Sequence, residues 1–226
     1  MVKEEHIEVP RSARYFSIGA AAEEAREIWY VCHGYRQLAN RFLRRFGGLV
    51  DPSRLIVAPE ALSRFYVEGE GREHNKEDRI GATWMTREDR IAEITDYVRY
   101  LELLRARVEA PCKSRDFRRV VLGFSQGVHT VCRWIALGGV SPDELILWGG
   151  YLPEDLPEGG VAALNRSKIS IVWGLLDNFI SDKNHARQVL RMREMGLHFD
   201  VVEHPGGHEI VDSTLLELSD KRDLGA

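Results

Sequence analysis

A chain of 226 residues with 44% hydrophobic and 29% charged residues can bury a substantial core and is too apolar to be disordered. Its formal charge of −4, from 31 basic and 35 acidic residues, with no basic stripe, argues against nucleic acid as a partner. The longest apolar stretches, Leu145–Leu152 and Ile169–Leu176, contain glycine and are too short to span a bilayer, so no stable membrane association is expected.

The chain opens Met1-Val2-Lys3-Glu4-Glu5-His6, with no apolar signal core behind it. Cys32, Cys112 and Cys132 are odd in number and lack CxxC spacing. Together these predict a cytoplasmic protein with reduced thiols.

Strand-like and helix-like segments then alternate along the whole chain, which predicts one α/β domain over residues 1–226 with a mostly parallel central sheet flanked by helices. Ile28–Cys32 is the first buried strand, ending at His33-Gly34, and an amphipathic stretch from Gln37 to Phe46 stops at Gly47-Gly48. Leu55–Ala58 is the next apolar run. Residues 63–81 read as an irregular, charged excursion, with acidic and basic residues from Glu68 to Arg79. Thr86-x-x-Asp89 resembles a helix cap, and Ile91, Ile94, Val98, Leu101, Leu104 and Val108 mark the buried face of a long helix. Val120–Leu122 is a strand and Val128–Leu137 its following helix. Leu145–Trp148 and Ile169–Trp173 are two further strands. A helix from Asp182 to Met195, a strand Phe199–Val202 and a helix Glu209–Leu218 complete the chain.

Gly123-Phe124-Ser125-Gln126-Gly127 matches G-x-S-x-G and sits between a predicted strand and a predicted helix. That is the setting of a nucleophile elbow, where a sharp turn exposes the serine and leaves no room for side chains two residues either side. A serine hydroxyl needs a base, and in such sheets the base and its acid follow in the order Ser, Asp or Glu, His. His208, on the loop Pro205-Gly206-Gly207 beyond a strand, is the predicted base. Asp177, four residues past the end of Ile169–Trp173, is the predicted acid. His129 lies a turn into the helix behind the elbow, and His185 reads as a solvated helix residue. Asp182, after Ser181, is accounted for by a helix cap. Backbone N–H groups of Tyr35 and Gln126 are the predicted oxyanion donors. No metal and no organic cofactor is expected: Pro205-Gly206-Gly207 between His204 and His208 prevents a helical ligand pair.

His33-Gly34-Tyr35, the Gly-Phe-Ser-Gln-Gly elbow, Gly174-x-x-Asp177 and Gly207-His208 together resemble the phospholipase/carboxylesterase group of α/β-hydrolases. That group includes acyl-protein thioesterases and bacterial esterases, and the resemblance runs from about residue 27 to about residue 215. Gly81–Arg90 also looks like a branch of small bacterial esterases. The resemblance implies an α/β-hydrolase fold and cleavage of carboxylic esters through a Ser-His-Asp triad, or of thioesters or lysophospholipids with the same residues; the charged excursion from Glu68 to Arg79, unlike the apolar surface of a lipid-docking enzyme, favours small soluble short- or medium-chain acyl esters. It departs at Arg36, where the group has a second glycine, so the loop is expected to differ there. Arg36, Phe65, Tyr66, Trp84 and Met85 are candidates to contact the substrate; Arg36 would favour an anionic group but reads equally as an arginine pointing to solvent, and Trp84, Met85, Phe65 and Tyr66 read equally as packing. The rival class is a non-catalytic binding protein on the same fold. Oligomeric state is not encoded in any of these features.

Overall fold

In the structure, a computed structural model, residues 1–67, 79–113, 116–180 and 182–220 are described. The chain runs through β1 (Tyr15–Gly19), β2 (Glu27–Cys32), α1 (Ala39–Leu43), β3 (Arg54–Pro59), β4 (Ser63–Tyr66), β5 (Ile80–Thr83) and α2 (Arg90–Glu109). It continues through β6 (Arg118–Phe124), α3 (Gln126–Leu137), β7 (Glu144–Trp148), α4 (Gly160–Leu164), β8 (Lys168–Gly174), α5 (Asp182–Glu194), β9 (Asp200–His204) and α6 (Asp212–Asp220). Seven strands form the main sheet in the order β1-β3-β2-β6-β7-β8-β9, with only β1 antiparallel to its neighbour.

Burial on both faces explains the continuous apolar strands. In β2, Ile28, Tyr30 and Cys32 face α2 and α3, whereas Trp29 and Val31 face α1 and α6. The same alternation in β6 sends Val121 to one side and Val120 and Leu122 to the other. From β2 the chain moves outward to β3 on one side, then returns to β6 on the other. The carboxyl ends of β2 and β6 therefore flank the point where strand order reverses, the crevice that open α/β sheets use for ligands.

Several expectations need correction. Ile91 is exposed, and Tyr97 takes its place on the buried face with Ile94, Val98, Leu101, Leu104 and Val108. Ile91 lies in the first turn, before the helix meets the core. The Thr86 cap is also displaced, since α2 begins at Arg90 behind Asp89 and Thr86 instead binds Glu93 through its N–H at 2.6 Å. The predicted excursion 63–81 is bounded by an antiparallel pair, β4 with β5, tied to the loop after β2 by a bridge between Gln37 and Ala82. Its residues 68–78 lie outside the described residues, as does Ser181. The edge strand β1 and the short α4 carried no periodic signal long enough to read.

Candidate active site

Ser125 sits between β6 and α3 at φ +53° and ψ −118°, a conformation L residues rarely adopt. Packing over-determines the turn. A Cβ on Gly123 would lie 2.5 Å from the Gly127 carbonyl oxygen, and one on Gly127 would lie 2.2 Å from the Cys32 carbonyl oxygen. The Ser125 N–H donates to Trp148 O at 2.8 Å, which ties the elbow to the end of β7. Gly123 thus lets the first turn of α3 fold back onto β6, and Gly127 lets that turn press against the end of β2.

His208 and Asp177 meet at the ends of β9 and β8. His208 Nδ1 lies 2.6 Å from Asp177 Oδ2, and the other carboxylate oxygen accepts the Phe179 N–H at 2.8 Å. The carboxylate side chain is 1% exposed and the imidazole 17%. An ionised carboxylate can only accept, so Nδ1 carries the proton and Nε2 is left as the basic nitrogen. The imidazole stands between the rings of Phe124 and Phe179, at centroid distances of 5.0 and 4.9 Å. Among the described residues no hydrogen bond joins the Ser125 hydroxyl to any partner.

The loop after β2 faces the serine, since a Cβ on Gly34 would lie 3.1 Å from Ser125 Cβ. Three of its N–H groups are committed: Gly34 to Gln37 Oε1 at 2.8 Å, Arg36 to Ala82 O at 3.0 Å and Gln37 to Gly34 O at 3.3 Å. The Tyr35 N–H takes no such partner among the described residues. Gln126 is the first residue of α3, where helix N–H groups lack intrahelical acceptors. Its side chain grips the loop after β5, donating to Met85 O at 2.9 Å and accepting from the Trp84 N–H at 3.2 Å.

Arg36 occupies the place where the resemblance has a second glycine. It adopts the left-handed conformation itself, at φ +67°, with an exposed side chain that has no hydrogen-bond or ion-pair partner among the described residues. Phe65 is half-buried and stacks on the exposed Tyr35 ring at 5.3 Å, while Tyr66 is 49% exposed. Trp84 belongs to the core, with its indole N–H donating to His33 O at 2.8 Å. It backs the site without facing it. Met85 is half-buried over α3. His185 also departs from expectation, stacking on Trp173 at 3.8 Å instead of projecting into solvent.

Three features escaped the reading of the sequence. Gly149, at φ +61°, lies beneath the imidazole, where a Cβ would come within 3.1 Å of His208 Cε1; its position directly after an apolar run was the available signal. Phe179, 83% exposed beside His208, had none beyond nearness to Asp177. His33 is fully buried: its Nδ1–H donates to Gly34 O at 2.8 Å and its Nε2 accepts the Ala61 N–H at 3.1 Å. It staples the loop after β2 to the segment after β3.

Burial lowers the His33 pKa from 6.5 to about 4, against weaker opposing pulls from the Gly34 carbonyl and Glu60. The unfolded chain therefore binds a proton at this residue between pH 6.5 and 4 that the fold excludes. The stability it contributes is fully present above pH 6.5 and is lost as pH falls toward 4. Urea unfolding across that window should show wild type losing up to ~3 kcal/mol more than His33→Gln. Parallel pH profiles would refute this assignment.

Among the described residues, the one group of acidic, histidine or cysteine ligand atoms close enough to share a metal is Glu4, His6 and Asp89, all exposed and none part of this site. No helix among the described residues is long and apolar enough to cross a membrane.

No protein-family model and no curated protein matches the sequence. Among solved structures, esterase PE8 superposes with a TM-score of 0.66 at 19% identity, covering 92% of this chain and 97% of its own. A carboxylesterase from Mesorhizobium loti gives 0.65 at 18%, covering 92% and 93%. Zea mays acyl-protein thioesterase 2 gives 0.63 at 15%, covering 92% and 96%. At these identities the likeness is one of fold, and the chain has the α/β-hydrolase fold.

Proposed function

We propose that this protein is a serine hydrolase that cleaves carboxylic esters, with Ser125 as nucleophile, His208 as base and Asp177 as its orienting acid. The observation that carries the reading is the elbow: a serine held at φ +53° directly after Phe124, whose ring packs at 5.0 Å on an imidazole with its Nδ1 2.6 Å from a buried carboxylate. The structural neighbours named as esterases and a carboxylesterase support the same chemistry.

In this mechanism Ser125 Oγ attacks the acyl carbonyl as its proton passes to His208 Nε2. The oxyanion is held by the N–H groups of Tyr35 and Gln126, and Asp177 stabilises the imidazolium. The imidazolium gives that proton to the leaving alcohol as the carbon–oxygen bond breaks. Water then attacks the acyl-enzyme, its proton taken by His208 and returned to Ser125 Oγ as the acid leaves. The site's residues are sufficient for each of these proton transfers.

The test is hydrolysis of p-nitrophenyl butyrate together with labelling by a fluorophosphonate. Turnover and a single adduct mapped to Ser125 are expected; a folded protein with neither activity nor adduct would instead point to a binding protein on a hydrolase fold. Asp177→Asn should lower kcat about 10⁴-fold, because an amide turned toward Nδ1 selects the wrong imidazole tautomer. A loss of less than tenfold would remove Asp177 from the triad.

A thioester is the second reading, favoured by the likeness to an acyl-protein thioesterase and by the apolar rim of Leu175, Leu176 and Phe179 beside His208. Turnover of butyryl thioester and butyryl oxyester compared at equal chain length separates the two.

A further inference from the structure

The face of α3 that starts at Ser125 carries Gln126, His129 and Arg133 at positions i, i+3 and i+7, which point the same way. On one side lies the loop after β5, bound by the Gln126 side chain and by Arg133, whose Nη1 is 3.3 Å from Met85 Sδ. On the other lies the loop after β7. It starts against the elbow, where a Cβ on Gly150 would come within 2.8 Å of Ser125 O. It ends at Asp155, which accepts from Arg133 Nη2 at 2.7 Å and pairs with Arg90.

His129 lies between these loops, half-buried, with no hydrogen bond among the described residues. Arg133 and Arg90 pair with Asp155, and Arg191 donates to Leu152 O at 3.4 Å, so three guanidinium groups and the Asp155 carboxylate gather on the loop after β7. Burial first, and then Arg133, lowers the His129 pKa to about 4, so the ring is neutral near pH 7 and keeps one N–H to donate.

Position along the helix decides which part of a substrate would reach this strip. In the proposed mechanism His208 gives its proton to the leaving alcohol; with the alcohol toward His208 and Phe179, the acyl chain would extend the other way over Gln126. His129 is four residues beyond Ser125, about 6 Å along the helix at 1.5 Å per residue. A four-methylene chain covers a similar distance.

We propose that this strip is a subsite for a carboxylate at the far end of the acyl chain, with His129 donating the hydrogen bond and the surplus arginine charge providing the attraction. Half-esters of dicarboxylic acids are then the preferred substrate class. The proposal rests on Ser125 being the nucleophile, and the test separates the two.

Mono-4-nitrophenyl adipate is compared with its ω-methyl ester, which has the same chain without the charge. At low ionic strength the wild type should favour the charged ester by about tenfold in kcat/KM, and added salt should reduce that preference. The ratio should fall at least threefold in both His129→Leu and Arg191→Gln. Because each ratio is internal to one protein, a variant that folds poorly loses both activities and leaves the ratio intact. A wild-type ratio at or below one, or a ratio that both variants retain, overturns the subsite. If neither ester is turned over, the hydrolase reading fails, and monomethyl adipate is titrated against the Ser125→Ala protein by NMR. A saturable shift of the His129 ring proton then still supports the subsite, and no shift overturns it.

Discussion

Ser125→Ala should abolish p-nitrophenyl butyrate hydrolysis, lowering kcat at least about 10³-fold, because the acyl-enzyme route needs an oxygen nucleophile at this one position. Ser125→Gly should be equally inactive and yet more stable than wild type. The strain of a non-glycine residue at φ +53° is of order 1–3 kcal/mol. The added freedom of glycine in the unfolded chain returns ~0.5–1 kcal/mol of that. A net gain of ~1 kcal/mol remains, a rise of about 2–4 °C in Tm for a chain of this length. The hydroxyl makes no hydrogen bond among the described residues, so its removal leaves no partner unsatisfied. A Tm unchanged or lowered in Ser125→Gly would show that the elbow stores no strain. Residual activity near wild type in Ser125→Ala would remove the central claim.

Gly127→Ala carries the largest expected cost to stability. Its methyl carbon would lie 2.2 Å from Cys32 O, 2.8 Å from the Cys32 carbonyl carbon and 2.9 Å from His33 O. Those atoms end β2, which is bonded to β3 on one side and β6 on the other and cannot retreat without disturbing both. The helix must move instead, carrying the Gln126 N–H and Ser125 with it. Urea unfolding should show a loss of at least ~3 kcal/mol, at the upper end of what an overpacked core position costs, and esterase activity should fall with it. Gly47→Ala is the matched control, since a Cβ there meets nothing within 4 Å, and it should change stability by less than ~0.5 kcal/mol. Equal effects at the two glycines would mean that backbone freedom, not the approach of α3 to β2, explains the motif.

Both predictions concern residues whose importance was legible in the primary structure, and for a definite reason. The elbow is a local object: strand, turn and helix follow one another within a few residues, and steric demand on Gly123 and Gly127 is imposed by neighbours the motif itself implies. The apolar runs of β2, β3, β6, β7 and β8 were readable for a similar reason, because strands buried on both faces are apolar throughout. His208 and Asp177 were legible because both follow strand ends, and chain order restricts which acid and which histidine can meet there.

Other parts were set by contacts between distant segments. Trp84 and the rim aromatics looked alike in composition, yet the Trp84 indole is sealed against His33 while the Tyr35 ring lies outside on Phe65. Ile91 kept the helical period but falls before the core begins, whereas His185 broke the expectation of a solvated face by stacking on Trp173. Arg36 shows that a glycine conformation can be imposed on an arginine when its N–H is held by Ala82.

The sequence by itself determined the parallel strands of the sheet, the elbow and the order of the three groups assigned to catalysis, because periodicity, steric size and chain order act over short separations. Only the tertiary structure decided which N–H of the loop after β2 takes no partner among the described residues, that His33 is a buried staple, and that Arg90, Arg133 and Arg191 gather on the loop after β7. Those properties depend on which distant groups share a site and on how much water is excluded from it, and no local pattern in the chain contains either.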